Sequence, residues 1–444
     1  MNILMMTNTY KPLVGGLEKS VSGFAAEFRR MGHRVVIIAP DYPDMVPEKD
    51  VIRIPAMQHF NGTDFSVQLP IQGTLTEALG DFVPNIVHSH HPFLIGDTAL
   101  RIASKFNVPL VFTHHSLYEE NVHYMPGNEE ALKRFVIELS TGYANLADHV
   151  FAPSESVRAL VKERGVLTPV DVVPTGIDTE KFTHGAGKTF RRKNNIPADA
   201  YVVGHVGRLA PEKNLEFLTR VVAQFLKKNR KVHFLIGGRG SSEESIKEIM
   251  AKEGVLDRVH LVGMLQGKDL VSAYHAMNVF VFASVSETQG LVVTEAMAAG
   301  IPVVAVDAPG AREVVKDQVN GRLLAQEDSD DFLLALEWLK KQPASRIKKI
   351  KEACHETARE FTMKKCAQKA IGIYAALTAY QGFSRRKHED NFWVDVVKSI
   401  QIQWGVAKNL TKATAAFVTP LHEAEPAVDT KVIEESLIGA HDME

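Results

Sequence analysis

Short β-branched apolar runs alternate with amphipathic stretches along most of this chain, and that alternation limits the folds open to it. The runs at residues 3–6, 35–38, 86–88, 110–113 and 170–173 are mostly apolar, and helical patterns such as 17–31 and 95–106 lie between them. A strand that is apolar on both faces has to be covered on both faces, which is the condition of a parallel sheet sandwiched by helices. A second series begins at 201–206 and continues through 232–236, 260–262, 279–282 and 303–305. Between the two series, VVPTGIDTEKF (172–182) carries Pro and Gly and little periodicity, so it reads as a hinge. The expected architecture is α/β, with two Rossmann-like domains over 1–172 and 173–362 facing each other across a cleft. Ligands of such sheets bind beyond the carboxyl ends of the strands, so the cleft is the place to look for function.

The remainder of the chain has a different character. Residues 329–380 read as mostly helical, and the helix expected at about 363–380 would pack back on the first domain. Over 381–420 the apolar positions Trp393, Val397, Ile400, Trp404 and Ala407 recur at helical spacing, which predicts an amphipathic helical extension. Its stretch 385–412 holds six Lys/Arg against three Asp/Glu, while 421–444 has seven acidic residues and one Lys and reads as an acidic, disordered tail. These local excesses cancel in the whole: 51 Lys plus Arg stand against 53 Asp plus Glu in 444 residues, a formal net charge of −2. A general nucleic-acid binder would need a strongly basic domain, so nucleic acid is not an expected partner. Cys354 and Cys366 are too few for a disulfide scaffold and wrongly spaced for zinc, and are expected to be ordinary reduced side chains. The opening MNILMMTNTYKP has no charged region ahead of an apolar one, so no signal peptide is expected. No run approaches the roughly 18 apolar residues of a membrane span.

Four segments can carry chemistry. KPLVGGLEKSV (11–21) follows the first strand, where a Gly pair lets backbone amides approach a phosphate; a tight turn alone would use the same residues. HVGRLAPEKN (205–214) places Arg208 at a strand end and Lys213 five residues on, and two such cations can hold a diphosphate, Arg by its fork and Lys as a point charge. In SVSETQGLVVTEAMAAGIPVVA (284–305) a helix starting near Gly290 or Leu291 aims free amides at an anion. Glu287 in the loop above it can accept from sugar hydroxyls and Glu295, two turns in, from a ribose, although a capping acid and a solvated Glu would look alike here. In PLVFTHHSLYEENVHY (109–124) adjacent His114 and His115 point to opposite sides, so at most one of them is expected to face the cleft. The spacing of His123, Glu119 and Glu120 does not repeat on a helical face as a metal motif would, so no metal is expected. The histidines of IVHSHHPF (86–93) are read as bonding backbone or lining the acceptor side of the cleft.

Together, VGGLE, VPTGIDTEKF, GRLAPEKN and the E-x7-E pattern ETQGLVVTE with AMAAGIPVVA resemble glycosyltransferase family 4, in that family's order and over roughly residues 1–380. The resemblance implies the GT-B fold, a retaining transfer from a nucleotide-diphosphate sugar, and no metal or other cofactor. It assigns Arg208 and Lys213 to the donor diphosphate, Glu287 to the transferred sugar and Glu295 to the ribose. Amides around Gly290 and Leu291 would receive a phosphate, and Gly16 would close the cleft over the donor. The family's sugar-contacting histidine falls on His115, the second residue after Thr113, with His114 as the fallback. THHSLYEENVHY is similar to bacterial diacylglycerol glucosyltransferases, which places Tyr118 and His123 on the acceptor side and favours UDP-glucose and a lipid acceptor. GDP-mannose, or a soluble or polysaccharide acceptor, is the alternative; a nucleotide-sugar 2-epimerase and a non-catalytic sugar-nucleotide sensor are more distant ones. A cytoplasmic protein is expected, with 385–417, where Phe392, Trp393 and Trp404 interleave with lysines, either touching the inner face of a membrane, packing on the first domain or meeting a partner helix.

Overall fold

The structure, a computed structural model, describes residues 1–13, 15–43, 45–57, 67–68, 77–120, 128–284, 286–385, 408–410 and 412–414. The alternation read from the sequence becomes two parallel sheets. The first has seven strands, β1 (Asn2–Met6), β2 (Arg34–Pro40), β3 (Val51–Ile54), β6 (Ile86–Ser89), β7 (Leu110–Thr113), β8 (His149–Ala152) and β9 (Val170–Val172), in the order β3-β2-β1-β6-β7-β8-β9. A two-stranded antiparallel pair, β4 (Ala56–Met57) with β5 (Val67–Gln68), stands beside it. The second sheet comprises β10 (Tyr201–Val206), β11 (Val232–Gly237), β12 (Val259–Leu261), β13 (Val279–Phe282), β14 (Val303–Val306) and β15 (Gly321–Leu324), in the order β12-β11-β10-β13-β14-β15. All registered pairs within both sheets are parallel.

This ordering fixes where a ligand can go. Strand order reverses between β1 and β6 in the first sheet and between β10 and β13 in the second, and a doubly wound sheet opens its crevice at that switch. The segments following these four strands are the Gly loop, the 90–94 histidine loop, the Arg208–Lys213 loop and the Glu287–Gly290 loop. Three of the four segments singled out in the sequence therefore lie at a switch point, and the fourth, with His114 and His115, follows the neighbouring strand β7.

The continuous apolar strands are buried as their composition demands. Ile3, Leu4, Met5 and Met6 are wholly inaccessible, as are Val303, Val304 and Ala305. One face of the first sheet is covered by helices that include Ile95–Lys105. The other is covered by the helix Gly16–Arg30 together with the closing helix Met363–Arg385, whose Cys366, Ala367, Ala370 and Tyr374 share a cluster with Phe24 and Phe28. Cys354 and Cys366 are both buried and free.

The chain crosses between the sheets twice, and the crossings run side by side. Ile177 N–H donates to the Phe361 carbonyl at 2.8 Å, and Met363 N–H donates to the Ile177 carbonyl at 3.0 Å. A Cβ at Gly176 would lie 2.2 Å from Met363 Cα, so only glycine permits this approach. Near the other end, Asn409 Nδ2 donates to the Leu139 carbonyl at 3.1 Å, Lys412 pairs with Glu138 at 2.8 Å, and Ala413 is fully buried against the first domain's helix Glu129–Leu146. Most of the predicted 381–420 extension and all of the 421–444 tail lie outside the described residues. None of the described helices is long and apolar enough to cross a membrane.

Because the clash at Gly176 is with backbone, it cannot be relieved by a rotamer change. Gly176→Ala is expected to cost about 1–3 kcal/mol, read as a lowered Tm, whereas Gly372→Ala, inside the helix Met363–Arg385 with open space at its Cβ, should raise Tm slightly, since Ala is favoured over Gly in a helix interior by about 1 kcal/mol.

Candidate active site

The second sheet supplies most of the cleft's charge. Beyond β10, Arg208 Nη2 pairs with Glu212 Oε1 at 2.5 Å; the arginine side chain is largely exposed and Glu212 is buried. Lys213 closes a short 3-10 turn (Pro211–Lys213) and its Nζ reaches Glu287 Oε1 at 2.6 Å, across the switch point from the loop after β13. The cation proposed for a phosphate and the acid proposed for a sugar thus neutralise each other in this state.

Glu287 leads into the helix Leu291–Ala298, which begins on Gly290 at φ +66°. A Cβ there would also meet the Gly310 carbonyl at 3.2 Å, so glycine is required twice over. The helix N-terminus is open to an anion without a side-chain cap. Facing it from the first domain is Gly16, at the start of the helix Gly16–Arg30, whose Cβ position lies 3.5 Å from Leu291 Cδ1. A side chain at 16 would enter the space above the phosphate-type site.

Glu295, two turns along, is 3% exposed. Its Oε1 accepts from Lys19 Nζ at 2.5 Å and its Oε2 from the Tyr274 hydroxyl at 2.9 Å. Burial, reinforced by the neighbouring carboxylate, raises the Tyr274 hydroxyl's pKa and keeps it a donor. A carboxylate so far from water needs a charge partner, and here the partner comes from the opposite domain. A pair of ribose hydroxyls reaching Glu295 would compete with Lys19.

Further bonds join the two sides. Thr288 Oγ1 donates to the His115 carbonyl at 2.8 Å. Gln289 receives Thr175 N–H at 2.7 Å and donates to the Thr175 carbonyl at 2.6 Å, while Thr175 Oγ1 bonds Ser20 Oγ at 2.9 Å. Ser156 N–H donates to Glu313 at 3.0 Å.

On the first-domain side the two adjacent histidines separate as their alternation predicts. His114 is buried, edge-on to Phe112 and Tyr118, and burial lowers its pKa to about 4. His115 is half-buried at the cleft, with Nε2 2.8 Å from His90 Nδ1. His88 bonds Thr113 Oγ1 at 2.7 Å and the Tyr374 hydroxyl at 2.6 Å, and His91 Nδ1 accepts from Asn8 N–H at 3.0 Å. The histidines of 86–93 are therefore committed to hydrogen bonds, and Glu119 is committed to Arg164 at 2.5 Å. Tyr118 sits edge-on to Phe93, and its hydroxyl is buried with no partner among the described residues. His123 lies outside the described residues.

The structure thus brings together Lys213 with Glu287, Gly16 with Leu291, and His115 with the loop carrying Glu287. It keeps His114 apart from them. Tyr274 and Tyr374 join the site without having been singled out in the sequence, and Lys19, Thr288 and His90, which lie inside the quoted segments, take partners there that those segments do not reveal, because the pairings span 21 to 286 residues.

Comparison with known proteins places the chain. Residues 14–181 match the family model described as Glycosyltransferase Family 4, and residues 187–361 match Glycosyl transferases group 1. An alpha-monoglucosyldiacylglycerol synthase of Streptococcus pneumoniae is 28% identical over 439 residues, covering 97% of this chain and 94% of the relative. A GDP-mannose-dependent alpha-mannosyltransferase of Mycobacterium tuberculosis is 30% identical over 338 residues, 72% of this chain and 83% of the relative. In fold, the chain is similar to sucrose-phosphate synthase of Thermosynechococcus elongatus, with TM-score 0.69 and 21% identity, over 85% of this chain and 99% of that one. It is also similar to Anabaena HepE solved with UDP-glucose, with TM-score 0.66 and 19% identity, over 85% of this chain and all of that one.

Two measurements follow from the site. Lys19→Met leaves the buried Glu295 without its cation, so the donor-free protein should open, seen as a larger radius of gyration by small-angle scattering; an unchanged radius would show that the pair does not hold the domains together. The rings of His88 and His91 are held down to about 3, and those of His114 and His205 to about 4, by burial. Unfolded, each takes up a proton near pH 6.5, so stability is full above that and falls on acidification, by about 1.4 kcal/mol per pH unit for each ring. Tm should therefore drop steadily from pH 7 to pH 5.

Proposed function

Since this chain belongs to glycosyltransferase family 4, we propose that it moves a glucosyl group from UDP-glucose to a membrane lipid such as diacylglycerol, with retention at the anomeric carbon. The observation carrying the lipid acceptor is the likeness to the alpha-monoglucosyldiacylglycerol synthase, which extends over 97% of the chain. That the chain is a glycosyltransferase does not depend on this choice.

In this reading the donor binds with its diphosphate between Arg208 and Lys213 and against the amides that open the helix Leu291–Ala298. As the bond from sugar to diphosphate breaks, negative charge grows on the leaving group, and preorganised cations in a water-poor cleft stabilise it. Their present partners, Glu212 and Glu287, are what the donor exchanges. Release of Glu287 from Lys213 frees a carboxylate for the sugar hydroxyls, and Glu295 turns from Lys19 to the ribose. His115 contacts the sugar from the opposite wall. Arg208 and Lys213 supply the charge stabilisation that a divalent metal would otherwise give, so the transfer needs none.

A second reading is favoured by the GDP-mannose-dependent mannosyltransferases, which are 30% and 31% identical over 72% and 76% of this chain. It keeps every role above and changes the base, the sugar and the acceptor.

The test is a panel of radiolabelled nucleotide sugars incubated with membrane extract, followed by organic extraction. Label from UDP-glucose is expected in the organic phase, with activity unaffected by a chelator. Label from GDP-mannose alone would establish the second reading, and label confined to the aqueous phase would exclude a lipid acceptor. Arg208→Ala and Lys213→Ala should each lose about 3 kcal/mol of transition-state stabilisation, on the order of a hundredfold in rate.

A further inference from the structure

His90 has no part in the reading above, yet it is wholly buried and makes its side-chain hydrogen bond to the residue proposed to touch the sugar. Its backbone is pinned at the sheet's switch point, where His90 N–H donates to the Met6 carbonyl at 2.9 Å. Its ring lies between two others, 4.1 Å from His88 and stacked 5.1 Å from His115 at an interplanar angle of 22°. His88 is held at both ring nitrogens, by Thr113 and by Tyr374 from the closing helix Met363–Arg385, so the platform beneath His90 cannot rotate without breaking a bond.

We propose that His90 is a positioning residue for His115: it donates from Nδ1, holds the His115 ring in place, and keeps the His115 proton on Nδ1. The proposal rests on the reading of His115 as the sugar-contacting residue.

One proton decides between the two tautomers. His90 Nδ1 and His115 Nε2 are 2.8 Å apart, so one of them carries the hydrogen. His90 Nε2 is buried and has no partner. If His115 were the donor, the neutral His90 would have to carry its own proton on Nε2, leaving a buried N–H unpaired. If His90 is the donor, Nε2 is a bare lone pair. Orphaned buried N–H groups are rarer and dearer than unused acceptors, so the second arrangement is the stable one. Burial and the neighbouring rings hold both histidines well below their ordinary pKa, so neither takes a second proton to escape the choice.

The consequence reaches the substrate. With Nε2 occupied as an acceptor, His115 bears its proton on Nδ1, which has no hydrogen-bond partner among the described residues. His115 then offers the sugar a donor. A hydroxyl accepting from Nδ1–H keeps its own proton for a carboxylate, the kind of group Glu287 supplies once Lys213 lets it go. A ring with the opposite tautomer would compete with that carboxylate for the same proton. The side chain at 90 therefore sets which way the sugar hydroxyl is polarised without touching it.

The experiment combines imidazole ¹⁵N NMR on ring-labelled protein with kinetics on His90→Phe and His90→Asn; His115→Ala identifies the His115 signal. The asparagine amide can donate from nearly the place of Nδ1, whereas phenylalanine keeps the stack and loses the bond. Wild type and His90→Asn should show the His115 proton on Nδ1, and His90→Phe should show it on Nε2 or shared between the two. His90→Phe should lower kcat by roughly tenfold or more, with unchanged affinity for UDP or GDP, whichever the donor panel selects, and His90→Asn should recover most of the rate. A wild-type His115 proton on Nε2 would overturn the proposal, as would full kcat in His90→Phe. Full activity in His115→Ala would instead remove the sugar contact itself, while the tautomer assignment could still be read from the spectrum.

Discussion

A carboxylate almost wholly withdrawn from water must keep a cation beside it, and Glu295 takes that cation from the other domain. Lys19 lies in the helix that follows the Gly loop, so the pair presses Gly16 against the start of the helix Leu291–Ala298 and closes the cleft over the place where a phosphate would sit. Lys213 with Glu287 and Arg208 with Glu212 complete the pattern. Every charge that the donor would use is already neutralised by another charge of the same site. In the proposed reading, binding is an exchange of partners rather than the filling of an empty charged hole, which would moderate the cost of holding like charges together and tie occupancy to domain closure.

The fold was legible wherever its cause was local. Continuous β-branched runs mark interior parallel strands because nothing polar can face either covering layer, and β1, β10 and β14 follow from their residues alone. Of the strands not singled out, β8 is interior, buried throughout and as long as β7, while the others are short or polar. β3 and β15 lie at sheet edges and carry Arg53 and Arg322, whose guanidinium groups bond neighbouring carbonyls and acids at the rim. An edge strand has one free side, so its pattern carries less apolar signal. The site divides on the same line. Gly290 and the Arg208–Lys213 loop could be read because turn geometry and strand-end position are written in adjacent residues. The partners of His90 and Lys19 could not, since the fold brings them from distant segments.

Class and specificity rest on different parts of the molecule. In the proposed reading the nucleotide diphosphate is held by the second sheet and its loops, whereas the wall opposite is built from buried histidines and aromatic rings. That wall holds few charges, which suits an acceptor whose recognition is steric and hydrogen-bonded rather than ionic. The docking of Asn409, Lys412 and Ala413 on the helix Glu129–Leu146 brings these residues from beyond the second sheet back to the first domain.

The second crossing of the chain has a consequence for biosynthesis. One face of the first sheet is completed only by the helix Met363–Arg385, which supplies Cys366, Ala367, Ala370 and Tyr374 to the cluster around Phe24 and Phe28. On the ribosome that helix emerges after the whole second sheet. The amino-terminal half therefore waits, with an apolar face uncovered, until nearly all of the described chain has been made. Its maturation is coupled to translation of the other half, and a ribosome that stalls between the two sheets leaves a half-enzyme with an exposed core, a substrate for chaperones and proteases instead of a free-standing domain.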